Sequence, residues 1–271
     1  MSAKAIFYTM SHVVEPTSAH THTIILLHGR GSNAAEFASE FFESQASDDR
    51  FLTQIFPGYK WVFPCAAIRY AQSEEEEMHQ WFDMVSVQNP CHDPDNIQIP
   101  GMRESVLLIS DIIKSEAAEV GGLDRVFLGG ISQGCATAIS ALLTVGEPIA
   151  GFIGFSGWCP FGEVVADSFF EDSDRRALLT WVQEKRLPSR AAEAPLDISA
   201  IMSSLLTPVL LQHTEDDGVV PVALGQDLHD KLTVLGADVH WRAYKEGGHW
   251  INEPEGIDGM VKFINLSAKN S

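Results

Sequence analysis

Short apolar runs separated by amphipathic stretches set the pattern of this chain. Thr23-Ile24-Ile25-Leu26-Leu27, Trp61-Val62-Phe63-Pro64, Arg125 to Gly129, Gly151 to Gly157, Pro208 to His213 and Val239 to Tyr244 are rich in β-branched and aromatic residues. Runs of this length and composition read as strands, with Thr23 to Leu27, Trp61 to Pro64 and Gly151 to Gly157 as buried ones. Ala5 to Met10 adds an edge strand. Between them, Ala34 to Ser47 reads as a helix capped by Ser32 or Asn33. Pro100 to Val120 carries apolar residues at Val106, Ile109, Ile112 and Ile113, the three- and four-residue steps of a helix, and Gly121-Gly122 stops it. Ala136 to Val145, Val222 to Leu235 and Pro254 to Leu266 complete the helical set. Strand alternating with helix implies βαβ units and a mainly parallel sheet covered on both faces, the arrangement of a single α/β domain over residues 1–271.

The alternation breaks once. From Trp158 to about Leu206 there is no strand, only an apolar stretch around Phe161 and Phe169, a helix from Asp174 to Arg186, and a loop with Pro188 and Pro195. So long an interruption reads as an excursion over the sheet edge, either a lid over a pocket or a packing appendage. The stretch from Cys65 to Trp81 reads as irregular, and Glu74-Glu75-Glu76-Glu77 within it as a solvated loop or helix start.

Composition narrows the function classes. Lys and Arg total 18 against 37 Asp and Glu, a formal charge of -19. That balance excludes a nucleic-acid surface and electrostatic docking on anionic lipid. No apolar run approaches the roughly 18 residues of a membrane-spanning helix, and Met1 to Tyr8 lacks a secretory core. The expected setting is therefore cytoplasmic, without stable membrane insertion. Cys65, Cys91, Cys135 and Cys159 show no paired spacing and no histidine cluster, so free thiols are expected and no metal or cofactor is called for.

Candidate chemistry centres on Gly130-Ile131-Ser132-Gln133-Gly134, which fits G-x-S-x-G between a strand and a helix. In that motif a tight turn lifts a serine hydroxyl off the sheet edge at a helix N-terminus, where negative charge is favoured. A serine at this position also has an ordinary reading, as a helix cap. Catalysis needs a base within reach and a carboxylate to orient the base. Asp217 and His249 follow in the order Ser, Asp, His, each just past a strand end, with Asp216 as the competing acid. His28-Gly29-Arg30-Gly31 follows the first central strand and has the glycine content of an oxyanion loop. His28 and His213 read as structural histidines.

Taken together, Gly130 to Gly134, Leu27-His28-Gly29-Arg30-Gly31, Trp81-Phe82-Asp83, Asp217-Gly218-Val219-Val220-Pro221 and Gly248-His249 resemble the acyl-protein thioesterase and carboxylesterase (phospholipase/carboxylesterase) family of α/β-hydrolases. The resemblance implies Ser132 as nucleophile, His249 as base, Asp217 as acid, and the backbone N–H groups of Arg30 and Gln133 as oxyanion donors. Trp81 and Phe82 would line or brace the site. It implies hydrolysis of esters or thioesters, including lysophospholipids and lipidated proteins, without a cofactor. The alternatives are a small-molecule carboxylesterase, an acyltransferase, or a non-catalytic binding protein on the same scaffold. Cys135 stands where the family commonly has glycine and is expected to pack without effect. Arg30 replaces an apolar residue, and its charge at the pocket mouth is expected to favour anionic substrates. The excursion is expected to remodel the acyl channel.

Overall fold

The computed structural model describes residues 11–86, 88–90, 95–160 and 198–269. In chain order these form β1 (His12–Val14), β2 (His22–Leu27), α1 (Ala34–Phe41), α2 (Leu52–Ile55), β3 (Tyr59–Phe63), β4 (Ile68–Ala71), β5 (Glu76–His79) and α3 (Asp95–Val120). They continue with β6 (Val126–Ile131), α4 (Gln133–Val145), β7 (Gly151–Phe155), α5 (Ile198–Ser204), β8 (Val209–Thr214), α6 (Val222–Val234), β9 (Val239–Tyr244) and α7 (Glu255–Ser267). Seven strands make one sheet in the order β1-β3-β2-β6-β7-β8-β9. The edge pair β1·β3 is antiparallel and every other neighbour pair is parallel. The sheet is thus the mainly parallel one of an α/β-hydrolase.

Alternation along the strands explains why the apolar runs have no polar face. On β2, Ile25 and Leu27 join Leu128, Phe152 and Leu211 in a core with α3, α4 and α6. Ile24 and Leu26 point the other way, joining Phe127, Ile153 and Leu210 in a core with α1 and α7. Successive strand residues face opposite sides, so helices on both faces demand apolar residues at both. Buried Lys60 on β3 pairs with Glu116 of α3 at 2.9 Å and ties that helix to the sheet.

Several elements differ from the sequence expectation for identifiable reasons. The first helix ends at Phe41 rather than Ser47. Beyond it, acidic side chains take backbone donors that a longer helix needs: Glu253 accepts from the Gln45 N–H at 3.1 Å and Asp258 from the Ser47 N–H at 3.0 Å, with Ser44 Oγ also donating to Glu253 at 2.8 Å. Residues read as irregular contain the antiparallel hairpin β4–β5, with Glu74 in its turn and Glu76 and Glu77 on its second strand. Helix α3 begins at Asp95, five residues before Pro100, and accommodates the proline near its start. A helix unforeseen in the sequence, α5, packs beside the end of α4, where Ser204 Oγ accepts from the Gly146 N–H at 3.0 Å. The strand expected at Ala5 to Met10, the helix at Asp174 to Arg186 and most of the 158–206 excursion lie outside the described residues.

Candidate active site

Strand β6 delivers Ser132 to the carboxyl edge of the sheet in a conformation few L-residues adopt, φ 56° and ψ −123°. Such a conformation costs on the order of 1–3 kcal/mol and persists only where surrounding structure enforces it. Here it is enforced by the approach of α4 to β2. A Cβ on Gly134 would lie 2.3 Å from the Leu27 carbonyl oxygen and one on Gly130 would lie 2.8 Å from it. Both glycines are therefore conditions of the turn. Ser132 makes no side-chain cap bond to α4, so helix capping does not account for it. Its own N–H donates to the Phe155 carbonyl at 2.9 Å.

The loops after β8 and β9 bring the two other expected residues together. His249 Nδ1 and Asp217 Oδ2 are 2.8 Å apart. The second carboxylate oxygen accepts from the N–H groups of Val219 and Val220 at 2.8 and 2.9 Å. Burial would push the Asp217 carboxyl up. Hydrogen bonds from His213, His249 and the Val220 N–H overturn that and hold it well below the usual carboxylate range. Asp217 is therefore an anion, and the Nδ1 proton of His249 is committed to it. Asp216 plays a different part. It accepts the Gly248 N–H at 2.9 Å and the Gly247 N–H at 3.3 Å, fixing the glycine turn that carries His249.

Ser132 and His249 line one cavity of about 320 Å³ together with the Gly29–Ser32 loop. Its apolar wall consists of Phe37, Met78, Ile131, Val219 and Trp250. Phe37 and Trp250 meet edge to face, with ring centroids 5.9 Å apart. None of these five was read from the sequence as a pocket wall, although Ile131 and Val219 lie within the quoted motifs. They come from five separate elements and loops, and no local spacing connects them.

The Gly29–Ser32 loop is held from beneath and from the side. Buried His28 donates from Nδ1 to the Gly29 carbonyl at 2.7 Å and accepts the Ala66 N–H at Nε2, 3.0 Å away. Burial pushes this imidazole down to about 4, opposed by the Gly29 carbonyl and helped by His79. It is a neutral brace, as its place at the strand end suggested. The Arg30 guanidinium binds Gln80 Oε1 through Nε at 3.0 Å and forms a two-pronged ion pair with Glu74. Its hydrogen bonds hold the Glu74 carboxyl down at about 2, against a smaller opposing effect of burial. The cation expected at the pocket mouth is thus neutralised by a residue read as solvated, which removes the basis for expecting anionic substrates. About forty residues separate the two, too far for sequence spacing to reveal.

Trp81 and Phe82 are fully buried and neither lines the cavity. Of the two roles expected, the placement fits bracing rather than contact. The Gln133 side chain makes the connection: Oε1 accepts the Trp81 N–H and Nε2 donates to the Phe82 carbonyl, both at 2.8 Å. Trp81 Nε1 then donates to the His28 carbonyl at 2.8 Å. The sequence pointed to Gln133 for its backbone alone, and the bracing role of its side chain was missed. Cys135 is fully buried, its sulfur filling the space beside Gly154 and Gly157, and burial pushes the thiol up to about 12. It packs, as expected.

Residues 8–179 match the family model described as phospholipase/carboxylesterase. The chain belongs to the phospholipase/carboxylesterase family. Among its relatives is an acyl-protein thioesterase 1 of Gibberella zeae, 27% identical over 265 residues, with 95% of this chain and 96% of the relative covered. The carboxylesterase SOBER1 of Arabidopsis thaliana is 25% identical over 233 residues, covering 86% and 85%. Among solved structures, the acyl-protein thioesterase 2 of Zea mays superposes with a TM-score of 0.69 at 24% identity, over 95% of this family member and 98% of that chain. That likeness confirms the α/β-hydrolase fold.

Proposed function

We propose that this chain is a serine hydrolase that cleaves carboxylic esters or thioesters through an acyl-enzyme. The observation that carries the reading is a strained serine that caps no helix, sharing a cavity with a histidine held by an ionised, doubly anchored aspartate. With its Nδ1 proton on Asp217, His249 keeps Nε2 as a base. Ser132 Oγ attacks the acyl carbonyl while Nε2 takes its proton, and Asp217 stabilises the imidazolium. The N–H groups of Arg30 and Gln133 meet the oxyanion. Nε2 then returns the proton to the leaving alcohol or thiol, and a water deprotonated by the same nitrogen releases the acid.

The names of the relatives make an acylated-protein thioester the first substrate class to test, with lysophospholipids and small esters after it. A cytoplasmic setting is part of the same reading, and Cys65, Cys135 and Cys159 are free thiols among the described residues. Among the described residues, no helix is long and apolar enough to cross a membrane. The test is hydrolysis of p-nitrophenyl esters from acetate to palmitate, beside a palmitoyl thioester, by wild type and Ser132→Ala. Serine-dependent turnover is expected. Equal turnover by a folded Ser132→Ala protein would refute the assignment.

A further inference from the structure

Asp217 holds two histidines, and the mechanism uses only one. His213, at the penultimate position of β8, is buried, and its Nε2 lies 3.3 Å from Asp217 Oδ2, the oxygen that also receives His249 Nδ1. The same Nε2 lies 2.9 Å from the Val220 carbonyl. A carbonyl only accepts, so Nε2 carries the proton and shares it between Val220 and Asp217. The rest of the ring is fixed by shape. A Cβ on Gly225 of α6 would come within 2.3 Å of His213 Nδ1, so the glycine leaves room for the imidazole to lie against that helix. Nδ1 itself is buried without a hydrogen-bond partner among the described residues. A plain packing residue here would be apolar and would leave no such orphan. The retained polar ring is accounted for by its other nitrogen.

We propose that His213 is a positioning residue for the catalytic pair, its Nε2–H orienting the Asp217 carboxylate and drawing charge from the oxygen that faces His249. This rests on the serine-hydrolase reading of the site. Withdrawing that donor leaves Oδ2 more negative, which favours protonated His249, and less well aimed, which misplaces Nε2 for the serine proton and slows its transfer. The other charged groups around the pair are Asp216 in the same loop and Arg30 and Glu40 on the cavity wall, with Glu74 on Arg30. All are unaltered by substitution at position 213.

The test compares His213→Phe, which keeps an aromatic ring, with His213→Gln, whose amide nitrogen can replace Nε2–H, using an ester that the wild type turns over. His213→Phe is expected to lose about tenfold in kcat, the scale of a hydrogen bond to a charged group, with little change in KM. The acid limb of its kcat/KM profile moves to higher pH, and His213→Gln restores most of both. If both variants keep kcat within twofold, or lose it with an unmoved limb, the role is packing and the proposal fails. Should either variant not fold, wild-type protein labelled with 15N-histidine decides: the His213 Nε2 signal is expected to report the titration of His249 through the shared oxygen, and silence would overturn the proposal. A wild type that hydrolyses no ester would refute the hydrolase reading instead, and the NMR result would still report on the shared hydrogen bond.

Discussion

The two adjacent aspartates 216 and 217 show how one residue of chain decides a chemical role. Asp217 turns inward, loses its exposure and bonds His249, while Asp216 stays at the surface and pins Gly247 and Gly248. Asp217→Asn is expected to present His249 with the wrong tautomer and to lower kcat by about 10⁴-fold, as amide substitution does in such triads. Asp216→Asn keeps an acceptor for the glycine turn and is expected to cost far less. Steady-state kinetics on the two variants check the contrast, and equal losses would count against the assignment. The depressed carboxyls also fix a sign. Asp217 and Glu74 both titrate below their ordinary range in the folded protein, so their pairings are complete above the unfolded carboxylate value. They are lost only as pH falls through the lower folded one, about 2 for Glu74. Activity lost between pH 7 and 5 is therefore expected with the Arg30–Glu74 pair intact. A pH–rate profile of Glu74→Gln, superimposable on wild type over that range apart from its height, checks this.

At the scale of elements, the site depends on three contacts: α4 on β2 through Gly130 and Gly134, the hairpin β4–β5 on the Gly29–Ser32 loop through Arg30 and Glu74, and α3 on β3 through Lys60 and Glu116. Removing Glu116 takes the buried carboxylate from Lys60, which keeps the more exposed carboxylate of Glu119 at 3.1 Å. Glu116→Ala is expected to cost about 1.5–3 kcal/mol, the scale of a hydrogen bond to a charged group, measured by denaturant unfolding. Glu74→Gln unmasks the Arg30 charge at the cavity mouth. Its ratio of kcat/KM for an anionic hemisuccinate ester over an acetate ester is expected to rise severalfold, and an unchanged ratio would show the ion pair to be irrelevant to selectivity. Legibility in the sequence follows the same division. The central strands were readable because burial on both faces imposes unbroken apolar runs, which also placed Ser132 and Asp217 at strand ends, whereas His249 follows the edge strand β9, none of whose residues is buried. The hairpin was not, since Glu76, Glu77, Arg69 and an exposed Tyr70 give it no apolar period. The end of α1 was set by Glu253 and Asp258, about two hundred residues away.

Over the whole molecule, a seven-stranded sheet with helices on both faces brings residues from positions 29 to 250 to one cavity edge, which is where open α/β sheets bind ligands. The formal charge of -19 gives the molecule a net anionic field. KM for an anionic ester is expected to fall as ionic strength rises from about 0.01 to 0.15 M, where the screening length drops from about 30 to 8 Å, while KM for a neutral ester stays level. The fold carries no chemistry by itself, and members of one fold differ in what they bind. The central claim is accordingly about one oxygen atom. It is tested most directly by incubating the protein with a fluorophosphonate and mapping the adduct by peptide mass spectrometry. A single phosphonyl group on Ser132, absent from His249→Ala and blocked by a competing ester, is the predicted result. An unlabelled wild-type protein, or label on another residue with Ser132 unmodified, would contradict it.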